Sequence, residues 1–144
     1  MIPTTAELLK AFETVDHTDD AALDALNCQF WSWLTRLRIK KYIVRAGSVG
    51  WLFEDTVHSV DNDKLGMLPD HSPYHDITRS IDAQDKLLPD GYWIDVIQLS
   101  ENEFKVIYTP RKGEVVQSAV LPTKALAGGH AIVQVIDYER TKCP

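Results

Sequence analysis

The sequence predicts an α+β domain whose antiparallel sheet is covered by N-terminal and C-terminal helices. Three observations carry that expectation. Apolar residues recur at three- and four-residue steps before residue 38 and again after residue 123, the period of an amphipathic helix. Residues 92–121 form three strand-like blocks, split at 100–103 and 110–113 by short polar turns, and connections of that length make neighbouring strands antiparallel. Residues 78–93 read as a short helix, a stop and an aromatic-led strand. Thr78 or Ser80 caps the helix, Pro89 lacks an N–H to continue it, and Gly91 can take positive φ.

Each element has a local reason. Thr4 or Thr5 caps a first helix and Glu7 lies early in it, where negative charge suits the helix dipole. Leu8, Leu9, Phe12 and Val15 make its apolar stripe. A second helix, capped by Thr18 or Asp19, carries Leu23, Leu26, Phe30, Trp33, Leu34 and Leu37 inward, with Trp31 and Trp33 as core residues. Residues 39–44 are β-branched and aromatic, 46–50 can turn, and 51–57 can run back, so an extra hairpin is expected within 38–57; continuation of the helix through 38–45 is the competing reading. Residues 59–74, rich in Asp, Gly and Pro, make a long loop. Ile77, Ile81 and Leu88 point inward from the third helix, and strands follow at 92–99, 104–109 and 114–121. A last helix runs from Thr123 to about Arg140. Gly128 and Gly129 inside it cost about 1 kcal/mol each relative to alanine, a cost expected to be offset by close approach of the helix backbone to the sheet.

The chain has 144 residues, 44% of them hydrophobic, which suits a single domain over 1–144. No apolar run is long enough to span a membrane, and residues 1–5 lack the basic and apolar regions of a signal peptide. A cytoplasmic protein without a membrane partner is expected. The formal net charge of -6 disfavours binding to nucleic-acid phosphates, so no sequence-specific nucleic-acid partner is expected. Cys28 reads as a small core residue, and Cys143 lies at the end of the chain.

Two sets of residues form a pattern. The first is Asp24-Ala-Leu-Asn27 with Trp31-Ser-Trp33. The second is Tyr74, Thr78-Arg-Ser-Ile-Asp-Ala83 and Leu87-Leu-Pro-Asp-Gly-Tyr-Trp93, followed by strands and the small-residue helix start Thr123-Lys-Ala-Leu-Ala127. This arrangement resembles the phage ABA-sandwich domain family, small proteins of bacteriophages and prophages. The resemblance covers residues 19–37 and 74–138. It departs at 38–73, which reads as an insertion, at Lys124, where a proline is usual, and at Gly128-Gly129-His130. It implies an α-β-α sandwich fold and a phage-related origin, and no known reaction.

No constellation carries recognisable chemistry. Gly47-Ser-Val-Gly50 lacks the Lys-Ser/Thr of a phosphate loop. Asp61-Asn-Asp-Lys-Leu-Gly66 lacks the third ligand and closing Glu of a calcium loop. His71 and His75 are weak metal candidates, with Pro73 between them, and neither a metal nor a cofactor is expected. Asp95, between Trp93 and Ile97, is a carboxylate expected to be partly buried. His130 can line a pocket or be structural. The leading expectation is therefore a non-enzymatic accessory protein that binds a host protein, an inhibitor of a bacterial defence system, acting as a monomer or small homo-oligomer. Arg36, Arg38, Lys40, Lys41 and Arg45 are its candidate partner-binding residues. The alternative is a binder of a nucleotide-like small ligand framed by Trp51, Tyr74, His75 and Arg79. A metal-dependent enzyme comes third.

Overall fold

Helix α1, Thr5–Thr14, begins in a reciprocal cap. The Glu7 amide donates to Thr4 Oγ1 at 3.2 Å, and the Thr4 amide donates to Glu7 Oε1 at 3.0 Å. Two of the N–H groups that a helix start leaves unpaired are thereby satisfied. Leu8 and Phe12 are buried on its inner side. Helix α2, Asp20–Thr35, is capped by Asp19, whose carboxylate accepts from the amides of Ala21 and Ala22. Its apolar face holds Leu23, Leu26, Phe30 and Trp33 as expected, and Asn27, Trp31 and Ser32 are buried as well. The computed structural model describes residues 2–36, 39–45, 48–53 and 77–142.

Strands β1, Ile39–Arg45, and β2, Ser48–Phe53, pair antiparallel from Ile39↔Phe53 to Arg45↔Ser48. The hairpin reading of this region therefore holds over the helical one. The long loop expected at 59–74 lies outside the described residues.

Helix α3 is short, Ile81–Asp85, with Ser80 accepting from the Ala83 amide. Its buried residues are Ala83 and Gln84, while Ile81 and Leu88 are only half-buried. The inward side thus differs from the one expected from Ile81 and Leu88, because a helix this short presents one turn and Gln84 occupies it. Strands β3, Tyr92–Ser100, β4, Glu103–Pro110, and β5, Val116–Gln117, form an antiparallel meander in the order β3-β4-β5. Gly91 at φ 93° and Gly113 at φ 116° take the left-handed conformation that their turns require. β5 is shorter than the expected 114–121. The Val106 amide donates to Ser118 Oγ at 2.9 Å rather than to a β5 carbonyl, and pairing resumes only at the Phe104↔Leu121 bridge.

Helix α4, Lys124–Lys142, organises the core. It packs on β4 and β5 on one side and on α1 and α3 on others. Accordingly Leu126, Ala127, Ala131, Ile132, Val133 and Val135 are all buried, a broader apolar surface than one stripe. Its two glycines do permit close approach, but to helices rather than to the sheet. A Cβ on Gly128 would lie 2.0 Å from Gln84 Oε1 of α3, and one on Gly129 would lie 2.4 Å from Phe12 Cε1 of α1. The fold is α+β, with a three-stranded antiparallel sheet packed against helices.

A polar chain ties the three long helices together. Trp33 Nε1 donates to Thr5 Oγ1 at 3.1 Å, and Thr5 Oγ1 donates to Asp137 Oδ1 at 2.9 Å. Arg140 stacks its guanidinium 4.7 Å from the Trp33 ring centroid and donates to the carbonyls of Trp33 and Leu34. Those are carbonyls of the last turn of α2, which lack partners within the helix. Burial and the nearby Arg36 charge hold the Arg140 pKa below its ordinary value.

Candidate functional site

The two halves of the sequence pattern meet in space. Asn27 Oδ1 of α2 accepts the Ile77 amide at 3.2 Å. Arg79 reaches Asp24 Oδ1 at 2.9 Å, Asp20 Oδ1 at 3.2 Å and the Asp20 carbonyl at 2.9 Å. Thr78, Trp31 and Trp33 are buried, and Ser80 caps α3. These residues join α2 to the segment that starts the C-terminal half. Their work is architectural.

Arg79 was expected among ligand-binding residues. It lines a cleft of about 330 Å³ with His17, Asp20, Thr78 and the start of α4 at Thr123 and Ala125. Of its companions, Trp51 pairs with Tyr42 in the hairpin, away from Arg79 in sequence, and Tyr74 and His75 lie outside the described residues, as does His71. Among the candidate partner-binding residues, Arg36 is exposed and closes α2 at φ 65°, the only non-glycine with positive φ among the described residues. Lys41 pairs with Leu52, Arg45 pairs with Ser48, and Lys40 sits at the register shift between Ile39 and Lys41. Arg38 lies outside the described residues.

His130 is structural. It is 6% exposed. Its Nδ1 accepts the Ala119 amide at 3.3 Å, which leaves the proton on Nε2, 2.9 Å from Glu13 Oε2. Both ring nitrogens are therefore occupied in joining α1 to the segment that follows β5. No group of three or more metal-ligating side chains occurs among the described residues.

The outer face of the sheet is where the structure departs furthest from expectation. Side chains of a strand alternate between faces. Val106 and Tyr108 of β4 are fully buried against the helices; their register partners on that inner face are less covered, Ile94 half-buried and Val96 41% exposed at the sheet edge. Trp93, Asp95 and Ile97 point the other way. Trp93 is 70% exposed, Leu99 57% and Ile97 37%. Asp95 was expected to be partly buried; it is exposed, as is Trp93, because no described element covers this face. One signal in the sequence does mark it. Residues 92–99 are apolar at odd and even positions alike, the pattern of a strand meant to be covered on both sides.

β3 is also an edge. The Phe104 amide donates to the Leu121 carbonyl at 2.8 Å, the Leu121 amide to the Phe104 carbonyl at 2.9 Å, and the Ser118 amide to the Val106 carbonyl at 2.9 Å. Even-numbered residues of β4 thus direct their backbone groups toward β5, so odd-numbered ones serve β3. Trp93↔Thr109, Asp95↔Ile107 and Ile97↔Lys105 are the hydrogen-bonded pairs. Ile94, Val96 and Gln98 then present their N–H and C=O groups to the side of β3 on which no described strand lies. An apolar face beside an open strand edge is an arrangement that can recruit another chain.

At the start of the strand, Tyr92 donates its hydroxyl to Glu139 at 2.7 Å; partial burial and this bond push its pKa above the ordinary tyrosine value. No protein-family model, curated protein or solved structure matches the chain.

Proposed function

We propose that this is a small phage- or prophage-encoded accessory protein that acts by binding a host protein in the bacterial cytoplasm, as an inhibitor of a defence system. The phage assignment rests on the sequence pattern at 24–33 and 74–93. The binding assignment rests on one observation, the exposed apolar face of the sheet centred on Trp93. Large aromatic side chains that lie in the open on a rigid sheet are typical anchors of protein interfaces. No helix among the described residues is long and apolar enough to cross a membrane.

The test is affinity capture from bacterial lysate with the wild-type protein and with Trp93→Ser. A host protein held by the wild type and lost by the variant is expected. Identical capture by both proteins, or capture of nothing by either, overturns the reading.

A second reading keeps the small ligand. The cleft beside Arg79 combines its guanidinium, His17 and the N-terminal end of α4, which together suit an anion. Arg79 is engaged by Asp20 and Asp24, and an anion in the cleft would compete with these carboxylates for its guanidinium. A rise in melting temperature with added nucleotides, lost in Arg79→Gln, supports it; no shift with any of them removes it.

A further inference from the structure

We infer that the open edge of β3 pairs with β3 of a second copy of this chain, antiparallel about a two-fold axis at Val96, to make one continuous six-stranded sheet. The inference rests on the protein-binding reading of this face and names one partner for its edge.

Three features of the strand point to self-pairing. First, the edge is long, and no described strand pairs with it. β3 spans nine residues without proline or glycine, and Asp95 is its only charge. Edge strands that avoid pairing usually carry proline, several charges or a short run.

Second, the register is self-complementary. Antiparallel pairing must place residues with outward backbone groups opposite one another, so Ile94, Val96 and Gln98 must meet residues of the same set. An axis at Val96 does this, with Val96 against Val96 and Ile94 against Gln98. It also sets Asp95 against Ile97 and brings Trp93 beside Leu99 on the outer face. An axis one residue earlier would set Asp95 directly against Asp95, an unfavourable like-charge pair. An axis one residue later would set Trp93 against Glu101.

Third, the ends carry complementary charge. Arg111 lies over Gly91, where an added Cβ would come within 3.4 Å of its Cδ and Nε. This places an exposed guanidinium, without an ion-pair partner among the described residues, at the start of β3. Glu101, exposed, occupies the turn at the far end. The two-fold brings Glu101 of the second copy to the end where Arg111 lies, and does so twice. The paired sheet would also double the outer apolar face, joining two Trp93 patches across one axis.

Sedimentation equilibrium of the full chain tests this. The wild type is expected at twice the 16.3 kDa chain mass. Val96→Pro, which removes an outward N–H that β4 does not use, is expected to sediment as a monomer with an unchanged circular dichroism spectrum. Arg111→Glu and Glu101→Arg are each expected to weaken the dimer at least threefold, and their combination to restore it. A monomeric wild type, or a dimer that neither Val96→Pro nor the charge reversals weaken, overturns the proposal. A monomeric wild type that still captures a host protein through Trp93 sinks the dimer while leaving the protein-binding reading intact.

Discussion

The surroundings of α4 and the outer face of the sheet are built from similar residues and have opposite fates. Around α4, apolar side chains meet partners on almost every side, down to glycines that receive Phe12 and Gln84. On the outer face, Trp93, Ile97 and Leu99 keep much of their surface in water. Two tryptophans condense the contrast. Trp33 is 2% exposed, stacked under Arg140 and hydrogen-bonded to Thr5. Trp93 is 70% exposed. Apolar surface is stabilising only where something takes it out of water, so the first region supports the fold and the second contributes little to it.

The largest effect should separate those tryptophans. Trp33→Ala is expected to cost about 3–5 kcal/mol of folding stability, as large-to-small changes in a packed core do. Trp93→Ala should stay within about 0.5 kcal/mol, as exposed positions do. Urea denaturation of both variants measures this; equal losses would erase the distinction between the regions.

Next is Gly129→Ala. Its Cβ would lie 2.4 Å from the Phe12 ring, within a packed core. Overpacking of this kind costs about 1–3 kcal/mol, against about 1 kcal/mol regained from the helix propensity of alanine. A net loss is expected, and combining it with Phe12→Leu should cost less than the sum of the two single changes, because the residues touch. Additive losses would show that the glycine is not a packing site.

A smaller and opposite effect is expected at Tyr108. Its hydroxyl is buried with no hydrogen-bond partner among the described residues. Burial, and secondarily the Asp85 charge, push its pKa above the ordinary tyrosine value. Tyr108→Phe removes an unsatisfied polar atom and should leave stability unchanged or raise it by about 1 kcal/mol. A clear loss in thermal unfolding would mean that the hydroxyl has a partner.

The smallest effect is at the start of α1. The Thr4 amide and hydroxyl hold the Glu7 carboxyl below its ordinary pKa of 4.5. A carboxyl with a depressed folded pKa adds stability above its unfolded pKa and loses it as pH falls through the folded one. Glu7→Gln should therefore flatten the fall in stability as pH drops below the ordinary carboxyl value of 4.5. A profile parallel to wild type would discount the cap's charge.

Much of the fold was legible because its signals are local. The Thr4–Glu7 cap, the Asp19 cap, the turn at Gly113 and the stop at Gly91 each depend on a few neighbouring residues. The meander followed from turns too short for any other connection. The burial of Gln84 was not legible, since a glutamine reads as surface until its amide is seen donating at 2.7 Å to both the Ile77 and Ala125 carbonyls. Nor was the truncation of β5, which depends on Ser118 Oγ taking a backbone amide. The candidate site was the least legible part. The basic run at 36–45 and Arg79 stood out as charges, whereas the exposed face is made of residues that look like core.

By itself the sequence determined the helices, the strand order of the meander and its turns, because capping, periodicity and loop length act over a few residues. Only the tertiary structure decided which apolar residues were covered. Trp33 and Trp93 carry the same side chain in the same motif, and what separates them is whether another element lies within van der Waals reach. In this protein α4, packed closely on α3 and α1 through Gly128 and Gly129, also covers one side of the sheet, and the face bearing Trp93 is left exposed.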